Sequence, residues 1–210
     1  MSQTDKPAVV FDFDGTLIDS YNLWFNLMRG ILWRTQRFRV TKKIFADAFE
    51  INPWKFWIKN VGLKPLTLSK IFLRIKIMLS IHYPKAQLFN GIKPVLAALS
   101  KDNLLVIISS TPKKSVLAAI KKHNINSFIS SVLGPESGLT KKSKFIRLKK
   151  KHKNIIFVTD SAGDIREAHT AKVTTFAVTW GWHSVKRLKK AKPDYVVNKP
   201  TQLLKLITPH

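Results

Sequence analysis

Two short strings of carboxylates carry the chemistry of this sequence. Asp12-Phe13-Asp14-Gly15-Thr16 closes the apolar run from Ala8 to Phe13, and Asp160-Ser161-Ala162-Gly163-Asp164 follows the run from Asn154 to Val158. Between them, Ser109-Ser110-Thr111-Pro112 follows a third run, Leu104 to Ile108. Asp12, Asp14, Asp160 and Asp164 are four of only 12 acidic residues in a chain with 37 Lys and Arg. Random scatter would rarely place a third of the acids at two such points. Carboxylates that converge repel one another unless a cation sits among them, and hard oxygens suit Mg²⁺. Mg²⁺ on a few carboxylates keeps waters and accepts phosphate oxygens. A Ser hydroxyl and a Lys ammonium are natural partners for the phosphate's other oxygens. The constellation points to phosphoryl chemistry.

Each group also has a plainer use. Asp12 and Asp14 could form a turn or cap pair after a strand. Ser109 could cap a helix starting near Lys113, and Asp164 one starting near Ile165.

A parallel sheet would bring these strings together, because such sheets gather ligands at the carboxyl ends of their strands. The runs at 8–13, 104–108, 131–133, 154–158, 174–178 and 195–197 read as strands. Helical stretches at 92–100, 113–123, 142–151 and 165–171 separate them. Strands alternating with helices predict an α/β fold, a Rossmann-like parallel sheet with helices on both faces. Gly15, directly after the first acids, suits a sharp turn.

Residues 20–88 differ in texture. Apolar positions recur at helical spacing from Tyr21, from Lys42 to Phe49, from Pro53, and from Thr67 to Ile81, with Pro53, Gly62, Pro65 and Pro84 as punctuation. This predicts an inserted unit of about four helices, and a core made of residues 1–19 and 89–210. The insert's aromatics, among them Trp24, Phe49, Trp54 and Phe72, read mostly as core, with some free to face the pocket. Its Arg29, Arg34, Arg37, Arg39, Lys42 and Lys43 are candidates for holding the remote groups of an anionic ligand.

Asp12-Phe-Asp-Gly-Thr-Leu17 resembles the signature of the haloacid dehalogenase superfamily. Ser109 at a strand end, a Lys ahead of a helix, and Asp160-Ser-Ala-Gly-Asp164 match its further motifs in order. The stretch ending Thr179-Trp180-Gly181-Trp182 is similar to phosphoglycolate-phosphatase-like members. The resemblance implies a phosphatase acting on a small phosphorylated metabolite, with the insert as a C1-type helical cap. It implies Asp12 as the nucleophile that forms an aspartyl-phosphate. Asp14 becomes general acid and then base, and Ser109 binds the phosphoryl group. Mg²⁺ is held by Asp12, the main-chain carbonyl of Asp14, and Asp160. Asp164 orients the lysine, and Gly15, Thr16 and Ser110 buttress the site. An acid at Asp14 favours phosphate ester hydrolysis over dehalogenation. Lys141, Lys142 and Lys144 all stand near the start of the helix, and spacing to Phe145 and Ile146 favours Lys142. Thr159 departs from the family, which usually has Gly there, and predicts a crowded loop with altered metal geometry.

Composition bounds the alternatives. Hydrophobic residues at 45% and charged residues at 23% describe a globular chain rather than a disordered one. The absence of Cys excludes disulfide scaffolds, thiolate metal sites and a Cys nucleophile. No signal-peptide pattern and no membrane-length apolar run is visible, so a cytoplasmic setting is expected. The six His show no metal-ligand spacing, although His183 beside Trp182 could line the site's entrance. The net charge of +25 keeps two other readings open: a phosphatase for nucleotides or nucleic-acid ends, and a basic non-catalytic binding module. No nucleic-acid-binding motif favours either.

Overall fold

A computed structural model describes residues 6–138 and 140–207. The chain opens with β1 (Ala8–Phe11) and the two-residue β2 (Ile18–Asp19). Four helices follow, α1 (Tyr21–Gln36), α2 (Lys42–Ile51), α3 (Pro53–Val61) and α4 (Pro65–His82), and then the two-residue β3 (Gln87–Leu88). The remainder is α5 (Ile92–Asp102), β4 (Leu104–Ile108), α6 (Lys113–Lys122), β5 (Ser131–Leu133), α7 (Lys141–Lys149), β6 (Ile155–Thr159), α8 (Ala162–Thr170), β7 (Thr174–Val178), α9 (Val185–Lys190), β8 (Tyr195–Val197) and α10 (Gln202–Ile207).

Six strands form one sheet in the order β5-β4-β1-β6-β7-β8, every neighbouring pair parallel. The α/β reading therefore holds. Phe11 at the end of β1 pairs with Ile107 on one side and Val158 on the other. That register puts Asp12, Ser109 and Asp160 at adjacent carboxyl ends. Alternate β1 side chains enter different cores. Val9 and Phe11 face α5, α6 and α10 through Leu96, Val116 and Leu203, while Ala8 and Val10 face α7 and α8 through Phe145 and Ala168.

The helical insert leaves and returns through β2 and β3, whose antiparallel pairing ties its two ends together. Strands of two residues carry no readable periodicity, so this stem was not legible in the sequence, nor were the short α9 and α10. Capping explains the insert's breaks. Thr41 accepts the Ile44 amide and Asn52 the Lys55 amide, Pro53 and Pro65 open their helices, and Gly62 closes α3 with φ of 72°. The helices bury Met28, Phe45, Trp57, Leu68, Ile75 and Leu79 in the same cluster as Phe11, Phe13 and Leu17. Each such side chain contributes about 1.5–3 kcal/mol, so the insert is packed onto the sheet's edge rather than tethered beside it. Among the described residues no helix is long and apolar enough to cross a membrane.

Candidate active site

The loop after β1 turns sharply at Gly15, whose φ is +73°. Asp12 stays buried at the strand end. Its Oδ1 accepts the Phe13 amide at 2.8 Å, and its Oδ2 lies 2.7 Å from Lys141 Nζ. Lys141 is also 2.7 Å from Asp164 Oδ2, so one ammonium joins the two carboxylate strings. The lysine of the site is thus Lys141, not Lys142. Thr140 caps α7 by accepting the Ser143 amide, which makes Lys141 the first helical residue and turns it inward with Lys144, Phe145 and Leu148. Lys142 is exposed and meets Glu167 only through its backbone amide, at 2.8 Å. Lys144 is buried but donates to the Ser109 carbonyl.

Asp160 follows β6, the strand paired with β1. Its Oδ1 accepts from Thr16 Oγ1 at 3.0 Å and its Oδ2 from the Trp182 amide at 2.8 Å, and Thr16 accepts the Asp160 amide in return. Gly15 and Gly181 press against this carboxylate so closely that a Cβ on either would collide with it. Asp164 sits inside the first turn of α8, and Ser161 is the helix cap. The cap reading of Asp164 therefore fails. Ser109 caps no helix either. Its Oγ accepts the Thr111 amide at 2.9 Å, while the residue before α6 is Pro112. Ser110 is exposed at the pocket's rim.

Asp14 is held mainly by side chains of the insert. Its Oδ1 accepts from Ser20 Oγ at 2.6 Å, Tyr83 OH at 2.7 Å and Trp24 Nε1 at 3.2 Å, and its Oδ2 from Thr111 Oγ1 at 2.8 Å. Ser20 and Trp24 stand where the insert begins and Tyr83 where it ends, so both ends of the insert hold this one carboxylate. Sequence reasoning did not reach these partners. Tyr83 is 69 residues from Asp14 and Thr111 is 97 residues away, with no pattern linking them. Thr159 does not crowd the loop as expected. Its hydroxyl accepts the Ser161 amide at 3.1 Å and donates to Asp12 Oδ2 at 3.2 Å.

The electrostatics follow from burial. Desolvation pulls the Lys141 ammonium down, but Asp12 and Asp164 outweigh it and hold the group above its usual range. Burial pushes Asp164 up, and Lys141 more than offsets that, leaving its carboxyl lowered. Asp12 is pushed up by burial against the pull of Lys141, and Asp160 is pushed up to about 6 by burial. Asp160 has no cationic side chain beside it in the ion pairs of the described residues. Two buried carboxylates short of positive charge, with hard oxygens only, fit a divalent cation such as Mg²⁺. No group of three or more His, Cys, Asp or Glu side chains among the described residues is arranged to hold a metal. A donor set here would rest on two carboxylates, main-chain oxygen and water, which is the sparse set Mg²⁺ accepts.

These groups open onto one pocket of about 200 Å³. Asp12, Asp14, Asp160, Asp164, Lys141, Ser109, Ser110, Thr111 and Ser161 line it on the sheet side, with Trp24, Phe49, Phe72, Trp182 and His183 around the rest. His183 lines this pocket. Its Nδ1 accepts the Ala162 amide at 2.9 Å, and burial pushes its pKa down to about 4, so it is neutral at pH 7. Arg29, Arg34, Arg37, Arg39, Lys42 and Lys43 are exposed and none lines this pocket.

The pattern of the family described as haloacid dehalogenase-like hydrolase matches residues 9–178. A phosphoglycolate phosphatase from Synechococcus elongatus is 26% identical over 208 residues, covering 96% of this chain and 97% of its own. A protein from Caldanaerobacter subterraneus, provisionally named a pyrophosphatase, is 26% identical over 95% of this chain and 94% of its own. A haloacid dehalogenase-like hydrolase from Streptococcus pneumoniae superposes with a TM-score of 0.81 at 20% identity, covering 96% of this chain and 98% of its own. With the motif residues gathered at one sheet edge and the family pattern spanning most of the chain, the protein belongs to the haloacid dehalogenase-like hydrolase family.

Proposed function

We propose that this phosphatase hydrolyses a phosphate monoester of a small metabolite through an aspartyl-phosphate on Asp12, with Mg²⁺ as cofactor. The observation that carries this is the single Lys141 ammonium, 2.7 Å from both Asp12 and Asp164, in a pocket that also holds Ser109, Asp14 and Asp160. Lys141 aims the Asp12 carboxylate and works against the burial that pushes its pKa up. In the first step an Asp12 oxygen bonds to phosphorus, the bond to the leaving oxygen breaks, and Asp14 gives that oxygen its proton. In the second, water attacks the phosphorus as Asp14 takes its proton, so inorganic phosphate leaves and Asp12 is restored. Ser109 Oγ accepts the Thr111 amide, which leaves the hydroxyl hydrogen to donate to a phosphoryl oxygen. Mg²⁺, held by Asp12, Asp160 and the main-chain carbonyl of Asp14, would neutralise the repulsion between nucleophile and phosphate.

Two neighbouring hydroxyls hold the Asp14 carboxyl in place. Tyr83 OH lies 2.7 Å from Asp14 Oδ1, Thr111 Oγ1 lies 2.8 Å from Asp14 Oδ2, and the two hydroxyls are 2.8 Å apart. The insert, taken as residues 20–88 over a core of 1–19 and 89–210, acts as a cap that keeps bulk water from the intermediate. Hydrolysis of a broad panel of phosphate esters with Mg²⁺, abolished in Asp12→Asn, is the expected result. No turnover of any ester by correctly folded wild-type protein would sink the proposal.

A further inference from the structure

The wall of the pocket that faces the carboxylates is aromatic. Trp24, Phe49 and Phe72 come to it from the insert and Trp182 from the loop after β7. The rings hold one another in place. Trp54 stacks on Phe72 at 5.3 Å and 26°, and Phe49 meets Trp182 edge-on at 4.9 Å. Lys141 is the one Lys or Arg among the described residues lining the pocket, and Asp12 and Asp164 already engage it. His183 adds no charge at neutral pH. An anionic group beyond the phosphate would meet Asp14, the four rings, a few hydroxyls and the neutral His183, with no free cation among the described lining residues to pair it. A buried charge without a partner is strongly disfavoured, whereas a flat apolar group gains contact with each ring. The space of about 200 Å³ also falls below the roughly 300–1,000 Å³ of pockets for drug-sized ligands. It encloses one ring or a short chain beside the phosphate, whereas a base with its sugar would reach beyond it.

We infer that the substrate is a phosphate monoester whose leaving group is small, uncharged and flat or apolar, such as a single aromatic ring on a short stem, and not one carrying a second anion. The inference rests on the phosphatase reading and narrows it. It also separates this chain from the substrate in its relatives' names, since a glycolate leaving group carries a carboxylate.

The test compares benzyl phosphate, 2-phosphoglycolate and a 5′-mononucleotide with Mg²⁺. Benzyl phosphate and 2-phosphoglycolate both leave through alkyl oxygens, so intrinsic reactivity does not decide between them. The expected kcat/KM for benzyl phosphate is about tenfold or more above the other two. Phe72→Ala is expected to lower it about tenfold through KM and to lower 2-phosphoglycolate by a smaller factor. Phe72→Arg is expected to raise turnover of 2-phosphoglycolate. Binding of benzylphosphonate and phosphonoacetate repeats the comparison without turnover, and benzylphosphonate is expected to bind about tenfold tighter. A wild-type preference for 2-phosphoglycolate or the nucleotide, or tighter binding of phosphonoacetate, overturns the inference. If no ester is hydrolysed but benzylphosphonate binds tighter, the phosphatase reading falls and the reading of the pocket stands.

Discussion

Lys141→Met is the substitution that bears hardest on the site. The methionine keeps the stem's length and apolar contacts but removes the ammonium, leaving Asp12 and Asp164 buried without their shared partner. Removing one member of a buried charge group costs about 3–5 kcal/mol. For a chain of this length each kcal/mol moves Tm by about 2–4 °C, so a fall of about 6–20 °C is expected. Lys142→Ala removes an exposed side chain and keeps the amide bonded to Glu167, so its cost should lie within about 0.5 kcal/mol. The pH dependence sharpens the contrast. Asp164 has its carboxyl lowered in the fold, so its contribution is present above the ordinary carboxylate pKa and is lost as pH falls through the lower folded value. Lys141 is raised, so its contribution is present below the ordinary lysine pKa and is lost only as pH climbs through the folded value. Without the lysine, burial raises both carboxyls. The variant is then handicapped most near pH 7 and recovers as acid protonates Asp12 and Asp164. Thermal melts from pH 7.5 to pH 5 in a chelating buffer should show the gap to wild type narrowing, and ester hydrolysis should vanish in Lys141→Met alone. Loss of activity in Lys142→Ala, or a gap that widens in acid, would refute the assignment.

Three further expectations follow from single contacts. Tyr83→Phe removes one of the hydroxyls that surround Asp14. It should lower kcat/KM about tenfold for an alkyl phosphate but far less for p-nitrophenyl phosphate, whose leaving group needs little protonation; an equal loss on both would mean that Tyr83 does not serve the acid. His183 is held neutral in the fold with its pKa near 4, so it binds fewer protons than the unfolded chain between about pH 4 and 6.5. It therefore weighs against the fold progressively as pH drops through that window. His183→Asn, whose Oδ1 can still accept the Ala162 amide, should gain thermal stability relative to wild type below pH 6 and not above pH 7. Raising ionic strength should lower kcat/KM for an anionic ester more than kcat, because the net charge of +25 acts on encounter; a kcat that falls in parallel would contradict this.

The strands that carry the motifs were legible because β-branched runs bounded by polar residues have few other uses. Leu104–Ile108, Ser131–Leu133, Thr174–Val178 and Tyr195–Val197 appear with the bounds expected of them. The choice among three lysines failed on phase. Ile146, used to support Lys142, is 47% exposed, whereas Lys141, Lys144, Phe145 and Leu148 fall at helical spacing on one buried face. That spacing, with Thr140 as a cap-forming residue just before it, was the available signal. The partners of Asp14 had no such signal. They meet it through tertiary packing of the insert's two ends, and neither pairwise spacing nor composition encodes that meeting.

The charge of the chain and the chemistry of its pocket point in opposite directions, and the opposition is informative. The insert's cations spread over exposed surface, while four carboxylates and one ammonium line the pocket with its rings. A positive exterior can draw anions towards the site but cannot select among them once they enter. Selection falls to groups that touch the ligand, and on the insert's side those are Trp24, Phe49 and Phe72. The phosphate is the anionic part such a site must accept, and the demand for a cation there follows from Asp12 and Asp160 being buried with too little positive charge nearby. A second anion on the substrate would raise the same demand at the aromatic wall, where nothing meets it. The excess of Lys and Arg therefore tells little about what this phosphatase cleaves, and the near-absence of cations inside the pocket tells more.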